Sequence, residues 1–324
     1  MKALVCKQHG LPDTLVVEEL PDPLPGDGEV VVDMKAAGVN FPDVLIIQNK
    51  YQVKPALPFS PGAELAGTIA AIGPGVEGFS VGDRVIASTG YGSFAEKVKV
   101  SAKRLIPLPD SVDFDVGAAF ILTYGTSWHA IRDRAALQPG ESMLVLGAAG
   151  GVGLAAVEIG KALGATVIAA ASSADKLAVC REHGADATID YTSDDLRERI
   201  KDLTGGKGPD VVYDPVGGAV AEPAFRSIGW RGRYLVVGFA SGEIPRLPLN
   251  LALLKGAAII GVFWGDYVAR EPESFGRDLQ SLFDLVEQGR LRPHISARYP
   301  LAQGARALDD MMNRRVIGKV VITR

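Results

Sequence analysis

The segment "MLVLGAAGGVGLAAVEIGKALGATVIAAASSADK", from Met143 to Lys176, constrains the fold more than any other part of the chain. Residues 143–147 read as an apolar strand. Glycines follow at 147, 150, 151 and 153, and a helix begins among them over 151–163 and stops at Gly164. Glycines let a backbone turn sharply and approach a pyrophosphate, and the helix N-terminus offers free N–H groups and a partial positive charge. The pattern is GxxGxxG rather than GxGxxG, so its force comes from its place between strand and helix. Gly147, Ala149, Gly150, Gly151 and Val152 are the candidate dinucleotide contacts; tight strand–helix packing without a ligand is the alternative.

Downstream, strands are predicted at 166–171, 187–190, 210–213, 233–238 and about 257–262, alternating with helices at 175–184, 194–203 and 218–229. Parallel strands need crossover connections, so this alternation predicts an α/β fold with a doubly wound parallel sheet. The residues before it differ. "EVVVDMKAAGVN", "AELAGTIAAIG", "DRVIAS" and "GSFAEKVKV" are short runs rich in small and β-branched residues, punctuated by "PDPLPGDG" and "GPGVEGFSVGD", which predicts a turn-rich β-domain. Two amphipathic helices, in "SFGRDLQSLFDLVEQGRL" and "LAQGARALDDMMNRR", and a last strand, "GKVVIT", are expected to fold back on that domain. The expected division is therefore 1–121 with 263–324 for the β-rich domain, and 122–262 for the dinucleotide-binding domain inserted into it.

A net charge of −4 gives no electrostatic reason to bind nucleic acid or an anionic membrane. No apolar run is long enough to span a membrane, and "MKALVCKQHG" lacks the pattern of a signal peptide, so a cytoplasmic protein is expected. Cys6 and Cys180 are far apart and form no CxxC pair, which excludes a disulfide framework and a cysteine-rich zinc site. Of the four histidines, His129 follows Trp128 on an apolar helix and reads as a packed residue, while His9, His183 and His294 show no partner spacing.

The second strand of the α/β domain ends on Ala171, where a site for NAD would place an acid for the ribose hydroxyls. Ser172, Ser173 and Lys176 follow, two hydroxyls and a cation suited to a phosphate dianion. This favours NADPH; the alternative is that Ser172 caps a helix on which Lys176 is solvated. Gly238 and Phe239 follow "RYLVV" at the carboxyl end of a predicted strand, where ligands of open sheets bind. Phe263 and Trp264 follow the last such strand and either line a site or pack a domain interface.

The segments "AGVNFPDVLI", "PFSPGAELAGTIAAIGPGVEGFSVGDRV", "GGVGLAAVEIGKALGA", "YDPVGG" and "GKVVI" resemble the medium-chain dehydrogenase/reductase superfamily, in particular its zinc-free quinone oxidoreductase branch, which includes ζ-crystallin. The resemblance implies a GroES-like catalytic domain and a Rossmann domain, with the active site in the cleft between them. It also implies that no metal is bound. Asn40 stands where zinc enzymes of the superfamily carry a cysteine, Ala63 where they carry a histidine, the third ligand falls near Leu122, and the four-cysteine lobe is missing.

By the same resemblance Asn40 faces the nicotinamide or the substrate, Asp43 lies in the same loop, and Tyr51 is a cleft tyrosine that hydrogen-bonds substrate or cofactor. A turn Asn, a helix-capping Asp and a half-buried Tyr are the alternatives. Thr126 resembles a threonine beside the nicotinamide, Tyr191 a tyrosine at the 2′-phosphate, and Arg314 an arginine touching the cofactor or, equally, a solvated one. Without a Lewis acid, an electron-poor acceptor is expected: a quinone, or an enal or enone, with positioning and hydrogen bonds carrying the catalysis. The activity implied is NADPH:quinone oxidoreduction, with enoyl or alkenal reduction as a rival. A ζ-crystallin-like structural or RNA-binding protein is an alternative of another class. The apolar strand near 257–262 would be a sheet edge, which in this family pairs with a second copy as a homodimer.

Overall fold

In the computed structural model, which describes residues 1–324, the chain divides into two units, Met1–Leu122 with Pro293–Arg324, and Thr123–Arg292. The first unit begins with the antiparallel pair β1 (Lys2–Val5) and β2 (Val16–Glu19). Its main sheet contains β3 (Glu29–Gly38), β4 (Glu64–Ile72), β5 (Arg84–Ser88), β6 (Lys97–Ser101) and β7 (Leu105–Pro107). β3 is central, pairing antiparallel with both β4 and β6. Its Val30, Val32, Met34 and Ala37 enter an apolar core that also takes Leu65, Ile69, Val85 and Phe94 from the strands and loops around it. α1 (Phe41–Ile47) follows β3 directly, α2 (Phe114–Ala118) packs on β3 and β4, and α3 (Ile121–Trp128) carries the chain into the second unit.

The second unit follows the predicted alternation closely. Its order is β8 (Ser142–Leu146), α4 (Gly151–Ala162), β9 (Thr166–Ala171), α5 (Ala174–Glu182), β10 (Ala187–Asp190), α6 (Leu196–Leu203), β11 (Val211–Asp214), α7 (Ala221–Ser227), β12 (Arg233–Val236), α8 (Leu249–Lys255) and β13 (Ala258–Gly261). All pairings are parallel and the strand order is β10-β9-β8-β11-β12-β13, the 3-2-1-4-5-6 order of a Rossmann sheet. Connections reverse direction between β8 and β11, which places the ligand crevice at the carboxyl ends of those two strands. The helix predicted over 218–229 is shorter, because Gly217 and Gly218 both have positive φ and delay its start until Ala221.

Two further helices, α9 (Trp264–Arg270) and α10 (Pro272–Glu287), close the second unit. This corrects the sequence-based boundary at residue 263: residues 263–292 pack on the dinucleotide-binding unit and not on the β-rich one. Three contacts decide it. Tyr267 stacks on His129 with ring centroids 3.9 Å apart, Asp278 accepts hydrogen bonds from Trp128 Nε1 and the Tyr267 hydroxyl, and the Trp264 indole lies against Gly125. The chain then returns to the first unit as β14 (Ile295–Pro300), α11 (Gly304–Met312) and β15 (Lys319–Thr323). β15 pairs antiparallel with β3, and α11 packs on α1. No helix is long and apolar enough to cross a membrane.

Candidate active site

The glycine turn has the predicted geometry. Gly147 takes φ +57°, a conformation that L side chains rarely adopt, and a Cβ there would meet Val216 at 2.6 Å. The loop after β8 therefore touches the loop after β11 at the point where the strand order reverses. Gly150 precedes α4 in extended conformation and its N–H bonds to Gly147 O at 3.0 Å. The N–H groups of Gly151, Val152 and Gly153 form the first turn of α4, where no intrahelical acceptor exists. Ala149 is buried beneath them. Ser127 Oγ donates to Val152 O at 2.8 Å and lies 2.9 Å from the hydroxyl of the buried Tyr213, so α3 and β11 together hold the start of α4 in place. Thr126, half-buried, is the neighbouring residue on α3.

At the end of β9 the hydroxyls and the amine converge. Lys176 Nζ donates to Ser172 Oγ at 3.2 Å, and Ser173, not Ser172, caps α5 by accepting the Lys176 N–H at 3.4 Å. Tyr191 N–H donates to Ala171 O at 3.2 Å, which brings Tyr191 beside Ser172. These four residues from three elements form a cation- and hydroxyl-bearing rim. Gly238 and Phe239 run along the carboxyl end of β11, with Gly238 N–H bonded to Asp214 O, and the Phe239 ring lies against Gly217. Phe263 is exposed, whereas the Trp264 ring turns inward onto Gly125 and Phe275, its Nε1 buried without a partner.

In the first unit, Asn40, Asp43 and Tyr51 lie together, but with partners the sequence did not announce. Asn40 ends the segment after β3 and is 4 % exposed. Its Nδ2 donates to Glu64 Oε1 at 2.9 Å, and its Oδ1 accepts from Lys319 Nζ at 2.6 Å. The amide expected to face a ligand is thus committed to a buried carboxylate and a buried amine, with one Oδ1 lone pair left over. Lys319 Nζ also pairs with Glu64 Oε1 at 3.0 Å, and Glu64 Oε2 accepts the Leu122 N–H at 3.0 Å. Asp43, in the first turn of α1, accepts the Asn40 N–H at 2.8 Å. Burial pushes its carboxyl up to about 7, against the lowering pull of the Asn40 N–H and of Lys319. Burial and the nearby Asp43 carboxylate raise the Tyr51 hydroxyl in turn.

Arg314 is exposed, in left-handed conformation just after α11, with its N–H bonded to Met311 O. His129 is packed as its sequence context predicts, stacked on Tyr267 and 3.0 Å from Asp133. His183 corrects the sequence reading: its Nδ1 lies 2.6 Å from Glu158 Oε1, a carboxylate that also accepts the Tyr124 hydroxyl at 2.6 Å and the Arg292 N–H at 3.1 Å. Cys6 and Cys180 are both buried free thiols.

Residues 151–283 match the family described as zinc-binding dehydrogenase, and residues 26–110 match the alcohol dehydrogenase GroES-like domain. The side chains present do not fit a catalytic zinc. Ala63 and Leu122 carry no donor atom, the Asn40 amide is already engaged, and Lys319 brings its own positive charge to Glu64. Among relatives, a quinone oxidoreductase of Pseudomonas aeruginosa is 37 % identical over 316 residues, covering 97 % of either sequence. A quinone oxidoreductase-like protein 2 homolog of Nematostella vectensis is 37 % identical over 324 residues, 99 % of this chain and 88 % of that one. Among solved structures, Escherichia coli quinone oxidoreductase complexed with NADPH superposes with a TM-score of 0.94 at 30 % identity, covering 100 % of both chains. The Rossmann order of the second unit, the GroES-like match of the first and this end-to-end similarity place the chain in the quinone oxidoreductase branch of the medium-chain dehydrogenase/reductase superfamily.

Proposed function

We propose that the protein is an NADPH-dependent oxidoreductase that reduces a quinone without a metal. The observation that carries this reading is the charge arrangement around Asn40. Where a metal enzyme would gather ligands, this chain holds an internal Lys319–Glu64 pair. Nothing in that arrangement activates an unreactive carbonyl or stabilises a simple alkoxide. The acceptor must then be electron-poor in itself, with the negative charge it gains spread onto oxygen. A quinone meets that requirement.

NADPH, when bound, supplies the hydride. The first turn of α4 would hold its pyrophosphate, and Ser172, Ser173, Lys176 and Tyr191 its 2′-phosphate, because three hydroxyls and an ammonium complement a dianion that a carboxylate would repel. Thr126, Gly238, Phe239, Phe263, Trp264 and Arg314 are assigned to the remaining cofactor contacts. Asp43, able to exchange a proton near neutral pH, and Tyr51, whose hydroxyl stays protonated, are assigned to hydrogen-bonding the acceptor oxygen.

The same reading extends to assembly. β13 is an edge strand with Ala258 and Ile259 exposed, and pairing with its copy in a second chain would satisfy that edge.

The experiment is NADPH oxidation by chelator-treated protein with ortho- and para-quinones beside enals and an enoyl thioester. Quinone-dependent turnover that survives chelation supports the reading. Turnover confined to the enals or the thioester moves the chain to the alkene reductases, and NADPH binding without turnover on any acceptor removes the oxidoreductase assignment.

A further inference from the structure

Lys319 is an unusual residue for its place. It opens β15, whose other residues are Val, Val, Ile and Thr, and it is 3 % exposed. A buried ammonium is costly unless its three N–H groups find acceptors and a counter-charge lies close. Here all of this is met: Nζ donates to Val39 O at 3.0 Å, to Asn40 Oδ1 at 2.6 Å and to Glu64 Oε1 at 3.0 Å. The Asn40 amide is clamped between cation and anion, its oxygen on Lys319 and its NH2 on Glu64. Turned over, the amide would set its NH2 against the ammonium and its oxygen against the carboxylate, and two charge-assisted bonds would become two repulsions. The pair therefore selects one orientation. Asn40 also opens α1, and its N–H is held by Asp43, so what fixes Asn40 fixes the first turn of that helix.

Resting on the function proposed above, we infer that Lys319 is a positioning residue: its ammonium, anchored by Glu64, locks the Asn40 amide in one orientation and holds the Asn40–Asp43 segment in its working conformation. The charged and titratable groups facing that segment are Lys319 from β15, Glu64 from β4, and Tyr51 beyond the end of α1. Lys319 draws the Asp43 carboxyl down and Glu64 pushes it up. Removing one or the other should therefore move Asp43 in opposite directions, a signature that mere loss of packing does not produce.

The test uses the full chain without cofactor, as wild type, Lys319→Met, Lys319→Arg and Glu64→Gln. Side-chain 15N spectra follow exchange of the Asn40 Nδ2 protons, and 13C spectra follow the Asp43 carboxyl through a pH titration. Lys319→Met is expected to speed Nδ2 exchange at least tenfold and to move the Asp43 midpoint above about 7. Lys319→Arg should stay near wild type, and Glu64→Gln should speed exchange while lowering the Asp43 midpoint. With quinone and NADPH, Lys319→Met should lose tenfold or more in kcat and keep its NADPH Kd within threefold. Unchanged exchange and an unmoved Asp43 midpoint in Lys319→Met overturn the inference. If that variant does not fold, the same null result in Glu64→Gln overturns it. Exchange and titration need no acceptor, so a wild type inactive on every quinone would defeat the proposed function and leave the orienting role of Lys319 separately decided.

Discussion

The carbonyl oxygen of Gly147 lies where the side chain of any residue at 153 other than glycine would begin. The close approach lets α4 start directly above the end of β8, with its first N–H groups at the mouth of the crevice. Gly153→Ala puts a methyl against backbone that has no free volume, and the expected cost is about 1–3 kcal/mol. Thermal unfolding should show it as a fall of several degrees, and NADPH affinity by titration calorimetry should drop tenfold or more. Gly276→Ala is the contrasting variant. That residue sits in α10 with open space around its missing Cβ, and helix propensity predicts a gain of about 0.5–1 kcal/mol.

The rim at the end of β9 makes a prediction about cofactor choice. Lys176→Ala should weaken NADPH at least tenfold and leave NADH within threefold. Ser172→Asp should reverse the preference, since its carboxylate would repel the 2′-phosphate and accept from the ribose hydroxyls of NADH. Fluorescence titration with both nucleotides reads both outcomes. Equal loss for the two nucleotides would remove the 2′-phosphate assignment.

Asp43 imprints a pH dependence on stability. Its carboxyl is raised from an ordinary value of 3.8 to about 7 in the folded chain, so between those values the folded state holds a proton that the unfolded state has lost. Stability from this group is therefore full below about pH 4 and declines as pH rises to about 7. Asp43→Asn should abolish the slope, so that the difference between variant and wild type in urea-unfolding free energy grows in favour of the variant from pH 4.5 to pH 7.5. A difference that is flat across that range would contradict the buried titration.

Glu158 joins α4 to α3, to the end of α5 and to the segment after α10, through Tyr124, His183 and the Arg292 N–H. Tyr124→Phe deletes one buried hydrogen bond to a carboxylate and should cost about 1.5–3 kcal/mol. Glu158→Leu strands the other partners as well and should cost more, about 3–5 kcal/mol. The double variant should cost less than the sum of the two, because the partners share one group. Chemical denaturation of the four proteins measures the coupling.

The exposed edge of β13 predicts a change of mass. Wild type at micromolar concentration should sediment as a dimer, and Ile259→Lys, which sets like charges side by side across a paired edge, should sediment as a monomer.

What could be read from the sequence was what is written locally. Glycine spacing, strand–helix alternation and the absence of an acid at Ala171 act over a few residues, so the parallel sheet and the nearness of Ser172, Ser173 and Lys176 were legible in the sequence, while the strand order itself was not. Partnerships across long separations were not. "GAE" and "GKVVI" contain Glu64 and Lys319, but nothing in either motif says that the two side chains meet around Asn40. Nor does His183 announce a carboxylate 25 residues earlier on a neighbouring helix. The surface that buries α10 was not legible for a similar reason. An amphipathic helix declares that one face will be buried, not which surface will bury it, and that was settled by Trp128, His129 and Gly125.

Asn40 and Lys319 are 279 positions apart, and β15 follows every other element of the two units in sequence. A nascent polypeptide emerging from the ribosome can complete its parallel sheet and most of the antiparallel one while Glu64 still faces no cation. Only when the final strand is released and inserts beside β3 does the first helix gain its anchor. A chain that stops short of residue 319 would carry the Glu64 carboxylate into its interior without its counter-charge. The setting of Asn40 is thus closed by a strand made 279 positions after the residue it orients, so the start of α1 and β15 mature together.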